Sequence, residues 1–276
     1  MKYFLNIIFL FFLTIIFAQE EFFFNHNGQI RQYYLYQSES IQDNAPLIFV
    51  LHGYSGSANS IIGYSNMNQI ADNYGAAICY PQGTFDQWNN RFWNVGYAFH
   101  ATQMIDDVDF LSSLAQYLQL EYNYSSEKTF VTGMSNGGDM SYMLACQAYD
   151  IFKAIAPVAG CMMEDIYNIC NPDPIPVLEI HGTNDDITLW DGDMQNNDGW
   201  GAYLSTQSGI DFWVQKNECQ NNEDIQGPNF NTIHHRYFNC LDNTEVWLYE
   251  IIGGGHDWPY YANQEIWNFF NQFSVL

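Results

Sequence analysis

Short runs of apolar, β-branched or aromatic residues recur along the 276-residue chain, each stopped by a cluster of Gly, Asn or Pro. They are RQYYLYQ from Arg31, PLIFVLHGYSG from Pro46, AAICYPQG from Ala76, TFVTGMSNGG from Thr129, KAIAPVAG from Lys153, PVLEIHGTND from Pro176 and VWLYEIIGGGH from Val246. Continuous apolar runs of this length suit strands buried on both faces. Between them lie helical patterns. The segment from Asp106 puts Val108, Phe110, Leu111, Leu114, Tyr117 and Leu118 on one face, and the chain closes with NQEIWNFFNQF. Strands alternating with helices predict an α/β fold, with a mostly parallel central sheet and helices on both faces. In such sheets ligands bind beyond the carboxyl ends of the strands. His52 and Tyr54, Ser135, Asp185 and His256 all follow predicted strands at that end.

Before the first strand, Lys2 precedes a largely apolar run from Tyr3 to Phe17, followed by Ala18. A charged start, a short apolar stretch and a small residue predict a signal peptide over 1–18, and hence a secreted protein with no membrane contact once it is cleaved. Residues 19–276 carry no Pro-, Gly- or Ser-rich linker and no internal repeat, so one catalytic-sized domain is expected.

Charge narrows the partners. Seven basic residues face 31 acidic ones, a net charge of −24. Such a surface repels phosphate backbones and anionic polymers, which excludes nucleic acid and favours a neutral substrate. The six cysteines, at 79, 146, 161, 170, 219 and 240, show no close C-x-x-C pair, so no metal site is expected. In an exported chain disulfides persist. Cys219 and Cys240 sit in polar flanks and are expected to pair. Cys79 and Cys146 sit in apolar flanks and are expected as buried thiols, while Cys161 and Cys170 are near enough to close a short loop.

Within TFVTGMSNGG, Gly133-Met134-Ser135-Asn136-Gly137 fits G-x-S-x-G. That pattern is the nucleophile elbow of α/β-hydrolases, a sharp strand-to-helix turn that lifts a serine Oγ clear of the sheet. The following DMSYMLACQAY has helical spacing at Met140, Met143 and Leu144, which supplies the helix. A serine needs a base and an orienting carboxylate. Of the seven histidines, His26, His100, His234 and His235 lie in polar turns, a loop or a polar strand-like stretch; His256 follows a strand in a Gly-rich loop. In this fold the acid falls between serine and histidine in the chain. Asp185 is the choice, Asp186 the neighbour that competes with it, and Asp191 and Asp193 require the loop to fold back. The oxyanion of a tetrahedral intermediate needs two amides. Those of Asn136 and Tyr54 are expected to supply them, leaving His52 a structural role. No cofactor is called for. Aromatic residues make up 18% of the chain, and several fall in loops: Trp88 and Trp93, Trp190 and Trp200, and Trp258. Trp93, Trp190 and Trp258 in particular are expected on a substrate wall.

The set LHGYSGSA, DDVDFLSSL, GMSNGGDMSYMLAC, IAPVAG, HGTND and GGGHDWP resembles the secreted esterases grouped as polyhydroxybutyrate depolymerase-like and feruloyl esterase-like proteins of carbohydrate esterase family 1. The resemblance runs from Pro46 to the C-terminus. It implies Ser135 as nucleophile, Asp185 as acid and His256 as base, acting on feruloyl or acetyl esters of plant polysaccharides. Two departures stand beside the acid: Asp186 occupies a place where the family often has proline, and ITLW replaces a proline and tyrosine ending. A polyester depolymerase, a serine peptidase and a noncatalytic carbohydrate-binding relative are the other readings.

Overall fold

The apolar runs become strands because each offers both of its faces for burial. In the computed structural model, which describes residues 20–39 and 41–274, all five residues of Leu47–Leu51 and all six of Thr129–Met134 are buried. The expected signal peptide lies outside the described residues. In chain order the elements are β1 (Glu20–His26), β2 (Gln29–Tyr36), β3 (Leu47–Leu51), α1 (Ala58–Ser65), α2 (Asn68–Tyr74), β4 (Ala77–Pro81), and the short β5 (Thr84–Phe85) and β6 (Arg91–Phe92). There follow α3 (Asp107–Tyr122), β7 (Thr129–Met134), α4 (Asn136–Gln147), β8 (Ala154–Val158), α5 (Glu164–Ile169) and β9 (Val177–Gly182). The last are α6 (Thr206–Lys216), β10 (Asn221–Gln226), β11 (Thr232–Phe238), β12 (Val246–Ile251) and α7 (Ala262–Gln272).

Ten strands form one sheet in the order β1-β2-β4-β3-β7-β8-β9-β12-β11-β10. The pairings from β4 through β3, β7, β8 and β9 to β12 are parallel, and the two strands at each edge are antiparallel. Residues alternate between two cores, as period-2 geometry requires. On β3, Leu47, Phe49 and Leu51 join α3, α4 and α6 through Phe110, Leu114, Leu144 and Trp213. Ile48 and Val50 face the other way, to Ile61 of α1, Ile70 of α2 and Ile266, Phe269 and Phe270 of α7. All seven apolar runs are strands. The elements without such a pattern are those that periodicity does not reveal: β10, NNEDIQ, is exposed throughout and exists by pairing with β11.

The cysteines pair partly otherwise than expected. Cys219 and Cys240 are joined, and so are Cys146 and Cys170. Cys146 is therefore not a free thiol and Cys170 does not close a loop with Cys161. Cys146 lies at the end of α4 and Cys170 caps α5, and packing of these two helices sets their Cα atoms 4.9 Å apart. Cys79 and Cys161 are buried thiols.

Candidate active site

Ser135 sits between β7 and α4 with φ 56° and ψ −123°, outside the ordinary regions for an L-residue. The flanking glycines allow this because the chain crowds on itself there. A Cβ on Gly133 would lie 2.5 Å from the Gly137 carbonyl, and one on Gly137 would lie 2.4 Å from the Leu51 carbonyl. The turn is fastened by the Ser135 amide, which donates to the Val158 carbonyl at 2.9 Å. Asn136 opens α4, so its amide belongs to the helix-start groups that have no partner within the helix and that favour negative charge.

The loop after β3 lies over this turn. Gly53 approaches so closely that a Cβ on it would be 3.3 Å from that of Ser135. His52 anchors the loop from beneath. Its Nδ1 bonds the Gly53 carbonyl at 2.8 Å, while Nε2 accepts from the Gly83 amide at 3.0 Å. Burial lowers its pKa to about 4, so the ring is neutral, as this bonding requires. Tyr54 follows Gly53, and its hydroxyl donates to Asp86 at 2.7 Å.

Asp185 and His256 are brought together from the ends of the adjacent strands β9 and β12, with His256 Nδ1 2.7 Å from Asp185 Oδ2. The other carboxylate oxygen of Asp185 accepts from the amides of Ile187 and Thr188, each at 2.9 Å. Burial would raise the carboxyl's pKa, but the bonds from His181, His256 and the Ile187 amide hold it well below the usual carboxylate range. Asp186 and Asp191 are exposed, and Asp193 is turned into its own loop, where it accepts from Asn197 and the Asp198 amide.

The aromatic expectations divide. Trp93 is fully buried, not on a wall. Its amide donates to Asn136 Oδ1 at 2.7 Å, Asn136 Nδ2 donates to its carbonyl at 3.0 Å, and its indole donates to the His52 carbonyl at 2.9 Å. That clasp ties the start of α4 to the loop after β3. Trp258 is also buried, in the core beside α7, with its indole on Asn263. Trp190 is half-buried with its ring edge against His181. Trp200 is the tryptophan that reaches the pocket. It lines the space next to Ser135 with Tyr97, Asp139, Met163, Thr188 and Tyr203, and the cavity is only about 20 Å³. Periodicity offers no signal for Tyr97, Met163 or Tyr203, which come from three separate loops or loop-like stretches. Asp139 lies one helical turn after Ser135 and accepts from the Tyr97 hydroxyl at 2.6 Å and the Cys161 amide at 2.7 Å. Its burial nevertheless raises its pKa to about 6.

A sheet of this order, with helices on both faces and a left-handed residue where its central strand enters a helix, is that of an α/β-hydrolase. Acetyl xylan esterase from Aspergillus awamori has the same fold, with a TM-score of 0.67 over 91% of this chain and 99% of that one at 16% identity. The chain belongs to the Esterase PHB depolymerase family, whose sequence profile matches residues 31–199. Ser135 and Asp185 fall within that stretch and His256 beyond it. Feruloyl esterase B of Piromyces equi is 28% identical over 236 residues, which are 84% of this chain and 42% of that protein. Feruloyl esterase D of Neurospora crassa is 25% identical over 273 residues, 91% of this chain and 84% of that protein. The chain thus spans less than half the length of the first relative and most of the second.

Proposed function

We propose that the protein is an exported carboxylic ester hydrolase that works through an acyl-enzyme on Ser135, with acyl esters of plant polysaccharides as its substrates. The observation that carries this reading is the bond between His256 Nδ1 and Asp185 in a chain whose Ser135 occupies the left-handed turn before α4. His256 Nε2 takes the Ser135 proton as Oγ attacks the ester carbonyl. The oxyanion is stabilised by the amides of Tyr54 and Asn136. Collapse breaks the ester C–O bond, and the proton on His256 goes to the departing alcohol. Water then repeats the sequence and releases the acid, returning the serine. Asp185 keeps the imidazole in the right tautomer and stabilises its protonated form.

Family membership and the names of the relatives support ester chemistry. Of the two acyl groups considered, the cavity favours acetyl. Its volume of about 20 Å³ holds roughly one water-sized group, which suits a small acyl group. The polyester reading is the second choice, on the family profile alone. The test is a panel of p-nitrophenyl acetate and butyrate, acetylated xylan, methyl ferulate and polyhydroxybutyrate film, with Ser135→Ala beside the wild type. Acetyl esters are expected to be cleaved fastest, and the variant to lose on the order of 10⁴- to 10⁶-fold in rate while remaining folded. Activity of Ser135→Ala within tenfold of wild type overturns the mechanism.

A further inference from the structure

We propose that His181, backed by Glu179, is a positioning residue: a buried imidazolium behind Asp185 that orients the carboxylate and sets the pH at which His256 becomes an active base. The inference rests on the roles assigned above to Asp185 and His256.

The arrangement begins with strand periodicity. On β9, Leu178 and Ile180 enter one core, so Glu179 and His181 both point to the opposite face, toward α4. There the side chains of Glu179, His181 and Asp185 are all without solvent exposure. His181 Nδ1 is 3.0 Å from Glu179 Oε1, and Nε2 is 2.9 Å from the Thr188 carbonyl and 3.4 Å from Asp185 Oδ2. With Glu179 ionised, both partners only accept, and both ring nitrogens then carry hydrogen. Burial pushes the Glu179 carboxyl up to about 7, and the bonds it receives work against that rise: from His181 at Oε1, from the Tyr142 hydroxyl to Oε2 at 2.9 Å and from the Gly160 amide to Oε1 at 3.3 Å. Burial alone would push the His181 pKa down. The two carboxylates and the Thr188 carbonyl outweigh it and push it up.

A buried ion pair is weak evidence for stability, because desolvation costs several kcal/mol per ion. Its placement gives a reason for its presence. Asp185 Oδ2 lies between two imidazoles, His256 at 2.7 Å and His181 at 3.4 Å. Thr188 joins them, its amide on Asp185 Oδ1 and its carbonyl on His181. The cation therefore fixes the acid loop and offsets part of the pull that Asp185 exerts on a proton at His256.

The other charged or titratable groups nearby come from each neighbouring element. From α4 come Asp139, which senses His256, and Tyr142; after β8 comes the buried Cys161 thiol. On β12, Glu250 is the register partner of His181, but its carboxylate is engaged by His235 at 2.9 Å. Among these only His181 places positive charge on the far side of Asp185. Removing that charge leaves Asp185 to His256 alone, which strengthens proton binding there.

The experiment is the pH dependence of kcat/KM on p-nitrophenyl acetate for the wild type, His181→Gln, Glu179→Gln and Glu179→Asp. The midpoint of the acid limb is expected to rise by about 0.5 to 1 pH unit in His181→Gln. A smaller rise in the same direction is expected in Glu179→Gln, and the least in Glu179→Asp, which keeps the anion. A role confined to packing lowers the rate or the melting temperature and leaves the midpoint unmoved, and that result overturns the proposal. Should the variants fail to fold, ¹⁵N-histidine NMR of the wild-type protein at pH 8 decides. Both His181 ring nitrogens are expected to be protonated; a neutral ring overturns the proposal. Full activity of Ser135→Ala would instead remove the ester-hydrolase mechanism, and the NMR result would stand apart from it.

Discussion

At the scale of single residues, two adjacent aspartates in one loop have opposite environments. Asp185 is buried, with hydrogen bonds from His256, Ile187 and Thr188 and an ion-pair contact to His181, whereas Asp186 faces solvent. Asp185→Asn is accordingly expected to reduce kcat by about 10⁴, the loss seen when an amide holds the histidine in the wrong tautomer. Asp186→Asn is expected to change it by less than about threefold, as for a surface substitution. Steady-state kinetics of the pair checks the ranking, and the reverse order would assign the acid's role to Asp186. The candidate residues whose local geometry was legible are those marked by a local constraint. Gly133 and Gly137 announce the crowded turn that puts Ser135 at φ 56°. Trp93 was not legible. Its flanks are polar and loop-like, and it is core packing, the two bonds to the Asn136 side chain and the indole bond to the His52 carbonyl that hold it inside.

Among the elements, the two disulfides hold the ones that carry the candidate site. Cys146–Cys170 joins the ends of α4 and α5, and α4 begins at the Ser135 turn. Cys219–Cys240 joins the segment after α6 to the end of β11, next to β12, whose far end leads to His256. The loops closed have sequence separations of 24 and 21 residues. Bridges over loops of that order contribute about 3 kcal/mol each, and for a domain of this size one kcal/mol moves the melting temperature by about 2–4 °C. Loss of either bridge, as Cys146→Ser with Cys170→Ser or Cys219→Ser with Cys240→Ser, is expected to lower Tm by about 6–12 °C in calorimetry. Mass mapping of unreduced peptides is expected to find these two pairs with Cys79 and Cys161 free. Any other pairing would refute this connectivity. The apolar flanks of Cys146 reported its burial correctly but held no information on its partner, because that depends on how α4 and α5 pack.

For the whole molecule, pH acts through two opposing routes. Lowering pH from 7 neutralises carboxylates on a chain of net charge −24 and relieves repulsion, an effect that salt near 0.15 M screens beyond about 8 Å. Asp185 works the other way. Its folded-state pKa is depressed, so its contribution to stability is present above the unfolded value of about 3.9 and is lost as pH falls toward the folded one. In 0.15 M salt, Tm of the wild type is therefore expected to fall more steeply between pH 5 and pH 2 than that of Asp185→Asn. Parallel curves for the two proteins would refute the coupling.

Local pattern determined the seven apolar strands, the order Ser135, Asp185, His256 along the chain and the glycine-flanked turn, since periodicity and backbone strain are properties of a few consecutive residues. The parallel sheet followed from the alternation of strands with helices. Tertiary packing alone decided the rest. The exposed strand β10 exists because β11 presents an edge to it. Tyr97, Met163, Trp200 and Tyr203 meet at one narrow cavity because loops from three parts of the chain converge there. Glu179 and His181 stand out in the sequence only as two polar residues at alternate positions of an apolar strand. Their charge can be read only once burial has removed every partner but Asp185, Thr188, Tyr142 and Gly160. Water satisfies a polar group wherever the chain leaves it exposed, so which bonds a buried one makes is determined by the residues that exclude water from it, and those are distant in sequence.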